Sequence, residues 1–218
     1  MTQPIPLSLD AVTPQGDLLR RLALNWQRLH DEPYRFDALA QAFTAPDAPG
    51  DWIGRTILGL TLLAQVTKWA PRYLDEIIQR LPELLNEQGY IGSILPAGIV
   101  NEGQLAGHNA LLRGLSEYYF WQADPQVALL IRRIVENLVI PAQGAFATYP
   151  DHPLPAQSQS ASAQIAHPVA TTEQWQGLST DIGQVFMILD GATQAYGIVP
   201  SKELHHSITT IIARFRQI

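Results

Sequence analysis

Apolar residues recur at three- and four-residue spacing along most of the chain, which is the period of a helix with one buried face. Leu18, Leu19, Leu22, Trp26 and Leu29 mark the first such face, after a lead-in to Gly16 that holds Pro4, Pro6 and Pro14. A short helix over roughly Arg35 to Phe43 follows the Glu32-Pro33 break, and the turn TAPDAPG closes it. A long apolar helix is expected from Asp51 to Trp69. Pro71 opens the next, which runs to about Glu87, with Gly89 as its stop. The loop GYIGSILPAGIVNEG leads to a helix from Gln104 to Trp121. Asp124-Pro125 then reads as an N-cap with Pro at the first helical position of a helix to about Ile140. The segment at about 141–178 is expected to be an irregular loop, because it carries the polar low-complexity run QSQSASAQ. Ser179-Thr180-Asp181 caps a helix to about Tyr196, and Pro200-Ser201 opens the last one, which runs to the end.

No stretch shows the period-two alternation of a half-buried strand, so the expected class is all-α with about eight helices. The helices also repeat in pairs. WIGRTILGLTLLAQVT from Trp52, LAGHNALLRGLSEYYF from Leu105 and DIGQVFMILDGATQAY from Asp181 align, each with Gly in third place (Gly54, Gly107, Gly183). A polar residue follows each glycine: Arg55, His108 and Gln184. An apolar stretch comes next, and after it a more amphipathic helix. This is an inner–outer helical hairpin in repeat. Inner helices that are apolar nearly all round are buried ones, and the glycines are placed to let them approach closely. The organisation expected is one partial α/α-toroid domain over 1–218.

Composition narrows the chemistry. Of 218 residues 46% are apolar and 16% charged, enough for a real core. The formal net charge is −6, with no basic block, which disfavours nucleic acid and anionic membrane as partners. There is no cysteine, which removes disulfides, thiolate nucleophiles and cysteine-ligated metals together. No apolar run nears the roughly 20 residues of a membrane span. MTQPIPLSLDAV lacks the basic-then-apolar pattern of a signal peptide, so a cytoplasmic location is expected. His152 and His167 lack metal-ligand spacing, no phosphate-binding glycine fingerprint is present, and GLST at Gly177 is not a nucleophile elbow. No cofactor or metal is expected.

In stacked hairpins the N-termini of the inner helices converge at one end, where free N–H groups and positive dipole ends gather. Polar residues there are the candidate site: Asp51, Trp52 and Arg55; Asn101, Glu102, His108 and Asn109; and Thr180, Asp181 and Gln184. The long loop adds Tyr149, Asp151, His152 and Trp175. Flat aromatic rings stack on sugar faces, and paired carboxylates perform acid and base work on a glycosidic bond. Glu102 and Asp181 are the candidate catalytic carboxylates. Asp51, Trp52, Arg55, Asn101, His108, Asn109, Tyr149 and Trp175 are the candidate substrate contacts. Four of them have a plainer alternative, whereas Glu102, between Asn101 and Gly103 and outside the apolar face, is less easily dismissed. Asp51 and Asp181 suit helix caps, His108 suits a core histidine bonded to a carbonyl, and Arg55 needs a partner at Asp51 or Glu102. His30, His205 and His206 lie on outer helices and read as solvated.

NEGQLAGHNALLRGLSEYYFWQAD (Asn101 to Asp124) and STDIGQVFMILDGATQAYG (Ser179 to Gly197) resemble the catalytic six-hairpin, (α/α)6-barrel domain of the β-L-arabinofuranosidase-like glycoside hydrolases. GDWIGRTILGLTLLA, the Gln88-Gly89-Tyr90-Ile91-Gly92 turn and PLSLDAVTPQGDLLRRLALNW fit the same family. The resemblance implies hydrolysis of a glycosidic bond, with Glu102, His108 and Asp181 in the sugar pocket. A full barrel needs six hairpins and this chain supplies about four, so it is expected to be the N-terminal part of a longer chain or a truncation. The best-understood members use a zinc-bound cysteine nucleophile in the later part of the barrel, and that mechanism does not carry over to a chain without cysteine. Two functional expectations follow: a glycoside hydrolase-like fragment acting on or binding a glycan, and a non-catalytic helical scaffold that binds a glycan or protein and self-associates through uncovered helical faces. An α/α-barrel lyase or uronyl hydrolase is a third, which would require a preference for acidic sugars.

Overall fold

The computed structural model describes residues 9–42, 48–152, 169–179 and 183–218. Over these the protein is all-α. Its main helices are α1 (Gly16–Leu29), α2 (Phe36–Ala42), α3 (Asp51–Thr67), α4 (Leu74–Arg80), α5 (Glu102–Gln122), α6 (Pro125–Ile134), the single turn α7 (Ile140–Ala142), α8 (Ile188–Tyr196) and α9 (Lys202–Phe215). Strand is confined, among the described residues, to two-residue pieces. β1 (Val100–Asn101) pairs in parallel with β3 (Trp175–Gln176), and β2 (Val169–Ala170) pairs antiparallel with β4 (Leu178–Ser179).

The expected hairpins are present. Helices α3, α5 and α8 form an inner row with α5 in the middle, while α4, α6 and α9 return along the outside of α3, α5 and α8. The inner three run parallel: Gly50 lies beside Gly107 and Gly54 beside Ala110, and Glu102 meets Val185 as Asn109 meets Gly191. Helix α1 packs on α3 at one end of the row. A continuous core of buried side chains runs through the array from Leu29 to Ile211.

Local sequence explains these elements. Helix α3 buries Ile53, Ile57, Leu60, Leu63 and Ala64, with Thr56 and Thr61 buried among them, as an inner helix must. Helix α6 buries only Val127, Leu130, Ile131 and Ile134 and turns Arg132 and Arg133 outward. Asp124 caps it by accepting from Gln126 N–H at 2.8 Å, and Pro125 occupies the first turn, where no N–H is needed. Ser201 caps α9 in the same way, at 3.0 Å from Leu204 N–H.

The glycines make the inner row tight, though not always the ones expected. A Cβ on Gly54 would stand 2.3 Å from the Ala110 backbone, and one on Gly107 2.3 Å from the Pro49 carbonyl. Gly183 does something else. It sits at φ +103 with open space around it and turns the chain into a 3-10 helix over Gln184–Met187. The close approach to α5 falls instead to Gly191, whose Cβ would stand 2.7 Å from the Asn109 carbonyl.

Several boundaries differ from the sequence reading: α4 begins at Leu74 rather than at Pro71, and α6 ends at Ile134 rather than near Ile140. Helix α4 ends at Arg80 and tightens into a 3-10 turn over Leu81–Leu84. The third inner helix begins at Ile188 after its 3-10 lead, and Ser179 belongs to β4 rather than to a cap. The segment from Pro141 is not irregular at its start. After α6 the backbone widens into a π-turn over Val135–Val139, then continues through α7 and a 3-10 helix over Gln143–Thr148. Pro141 supplies the reason: it has no N–H to donate and its ring crowds the carbonyl four residues back, so the ladder widens rather than stopping. No described helix is long and apolar enough to cross a membrane.

Candidate functional site

The N-terminal ends of α3, α5 and the Gln184–Met187 turn come together at one end of the array. Pro49 reaches both Gly107 and Gly92, and Glu102 on the first turn of α5 reaches Val185. At this end β1 leads straight into α5, with Asn101 as the N-cap accepting from Gln104 N–H at 2.8 Å.

Glu102 has no surface open to solvent. Its Oε1 accepts from the Tyr149 hydroxyl at 2.6 Å and from Val185 N–H at 3.1 Å. The same hydroxyl accepts from Gly183 N–H at 3.1 Å. Burial pushes the Tyr149 phenol up from its ordinary value, and its bond to Glu102 pushes it further, so it stays a donor. The Tyr149 ring lies edge-on to Trp175 and Phe186, with centroids at 5.1 and 5.3 Å. Trp175 is fully buried and donates its indole N–H to the Ala145 carbonyl at 2.9 Å. Glu102, Tyr149 and Trp175 therefore form a clamp. It fastens residues 145–149, 175 and 183–186 onto the first turn of α5.

His108 is also fully buried. Its Nδ1–H donates to the Gln104 carbonyl at 2.7 Å and its Nε2 accepts from Ile91 N–H at 3.1 Å. Burial lowers its pKa to about 4, against a smaller upward pull from the Gln104 bond. Both nitrogens are spent, and the ring pins the Tyr90–Ile91 turn to α5. The Asn109 side-chain oxygen is engaged as well, accepting from Gly191 N–H at 2.7 Å between α5 and α8.

The open part of the site lies on α3. Arg55 Nε donates to both oxygens of Asp51, at 2.9 and 2.8 Å, which settles the partner that Arg55 needs and raises its pKa further. Asp51 is not a side-chain cap, because Gly50 holds that position at φ +95. Trp52 sits between them in sequence, 60% exposed. Asp181 and Thr180 lie outside the described residues, as does His167. Asp151 and His152 pair with each other on the surface at 2.6 Å. The guanidinium of Arg113 on α5 meets Asp190 on α8.

Sequence reading missed the role of His30. It is half-buried, with Nδ1 donating to the Trp26 carbonyl at 2.6 Å and Nε2 accepting from Arg72 N–H at 2.9 Å. That is the bonding pattern of His108, and periodicity carries no signal for it. Helical spacing marks Gln104 only as the start of a helix, yet its Nε2 donates to the carbonyls of Ile91 and Ser93 at 3.1 and 3.0 Å. Among the described residues no group of three His, Asp or Glu side chains could hold a metal ion.

Fold and site together define an array of αα-hairpins whose inner-helix N-termini meet at a partly open polar and aromatic end. No family model, no curated protein and no solved structure matches the chain.

Proposed function

We propose that the protein is a glycan-binding helical-hairpin array, of the kind found in the glycoside hydrolases that its sequence resembles. The observation that carries the reading is the Trp52 indole, 60% exposed on the first turn of an inner helix. Beside it the Asp51–Arg55 pair offers charge-assisted donors and acceptors in fixed geometry. An exposed ring flanked by oriented polar groups suits a neutral sugar, whose faces are apolar and whose rim is hydroxylated. Binding is favoured over turnover by the enclosure of Glu102. Hydrolysis by paired carboxylates needs both of them open to the bond, and this one is shut beneath Tyr149.

The test is calorimetric titration with neutral oligosaccharides of arabinose, xylose and glucose. At least one should bind saturably, and Trp52→Ala should weaken it at least about tenfold, near 1.4 kcal/mol. Absence of binding by all three, or equal binding by Trp52→Ala, contradicts the reading. Self-association is a second reading. It is favoured by Leu18 and Leu24 on α1 and Phe215 on α9, each more than half exposed near opposite ends of the row.

A further inference from the structure

Residues 95–101, which lead into α5, and residues 137–142, at the far end of the second hairpin, line a cavity of about 430 Å³. That falls in the range of roughly 300–1,000 Å³ usual for small-molecule sites. Its floor is buried, made by Tyr90, Val100, Gln104 and Ala142, while Ala97 and Gly98 form an exposed rim. Its polar lining is distinctive. Among the described residues it consists of the amides of Gln88, Asn101, Gln104 and Asn137 and the Tyr90 phenol, with no Asp, Glu, Lys, Arg or His.

The hydrogen bonds already made decide what these amides still offer. Gln104 spends both Nε2 hydrogens on the Ile91 and Ser93 carbonyls, which leaves its Oε1 to accept. Asn137 spends Nδ2 on the Gln88 carbonyl at 2.6 Å and also keeps an acceptor. Asn101 uses Oδ1 on Gln104 N–H and keeps a donor. An ion entering this cavity would lose water without meeting a counter-charge. An apolar molecule would leave the Oε1 of the buried Gln104 unsatisfied. Hydroxyl groups, each donor and acceptor at once, suit all of these amides.

We infer that this cavity is a binding site for a neutral polyhydroxylated molecule of monosaccharide size. It shares the carbohydrate class of the function proposed above and uses none of Asp51, Trp52 or Arg55.

The test is an NMR titration of the full ¹⁵N-labelled chain with xylose, arabinose and glucose, with glucuronate and glucosamine as charged counterparts. Saturable shifts are expected in the side-chain amide signals of Asn101 and Asn137 and in the backbone signals of 95–101. Trp52→Ala should keep them, and Ala97→Trp, at an exposed rim position, should abolish them by filling the mouth. Asn137→Leu, also at an exposed position, should weaken them and decides the matter if Ala97→Trp does not fold. The charged counterparts should bind at least about tenfold more weakly, near 1.4 kcal/mol. The inference is overturned if no neutral sugar moves these signals up to roughly 50 mM, far beyond the millimolar scale of weak sites. It is equally overturned if glucuronate or glucosamine matches the neutral sugars, or if the shifts survive both cavity variants. Shifts around Trp52 alone would overturn it while sustaining the proposed function, and shifts at the cavity alone would do the reverse.

Discussion

His108 and His30 each tie a helix to a distant turn by donating to the carbonyl four residues back and accepting a backbone N–H from another segment, Ile91 before the helix for His108 and Arg72 after it for His30. For His108 this has a pH consequence. Its folded pKa, about 4, lies below the ordinary 6.5, so the unfolded chain binds the extra proton first. Stability is therefore unaffected above about pH 6.5 and falls as pH drops from there to about 4, by up to roughly 3 kcal/mol. His108→Leu should flatten that slope in urea denaturation at pH 7 and pH 5. At pH 7 it should also cost about 2–5 kcal/mol, because the Gln104 carbonyl and Ile91 N–H lose their partner. An unchanged slope would show that another group governs the acid limb. Little of this was legible in sequence. Glu102 was readable as a polar residue at a helix start. Its bond to Tyr149, 47 positions on, was not, since nothing in helical periodicity links a first-turn carboxylate to a loop phenol.

Among the elements, the inner row depends on backbone contact at glycine. Gly54→Ala would drive a Cβ into the Ala110 peptide, where no side chain can rotate away, and should destabilise by at least about 2 kcal/mol. Gly144 provides the contrast. It lies in a 3-10 turn with open space about it, so Gly144→Ala should be within about 1 kcal/mol of the parent. Thermal denaturation of both variants checks this, and equal losses would contradict tight packing at Gly54. The helices themselves were legible because their apolar spacing is strong, and Asp124-Pro125 located the start of α6 to the residue. The region after Ile140 was misread because Pro141 reads as a stop, whereas here the ladder widens around it. The glycine repeat was right in kind at Gly54 and Gly107 but not at Gly183, whose positive φ serves a turn.

At the scale of the whole molecule, the described residues of the row expose large apolar side chains near both of its ends. Leu18 and Leu24 project from α1 near one end and Phe215 from α9 near the other. Sedimentation velocity across a concentration series should reveal reversible self-association, and Leu18→Glu with Leu24→Glu should shift it toward monomer. A single monomeric species at all concentrations would remove this second reading and leave glycan binding untouched.

On the proposed reading, the gathered N-termini of the inner helices form a sugar-binding end with Trp52 as its platform. Hydrogen exchange of the full chain, with and without saturating neutral oligosaccharide, tests it most directly. The account predicts slowed exchange in peptides covering 48–56, and loss of that protection in Trp52→Ala with the rest of the exchange pattern kept. Unchanged exchange over 48–56, or protection that survives Trp52→Ala, would contradict it.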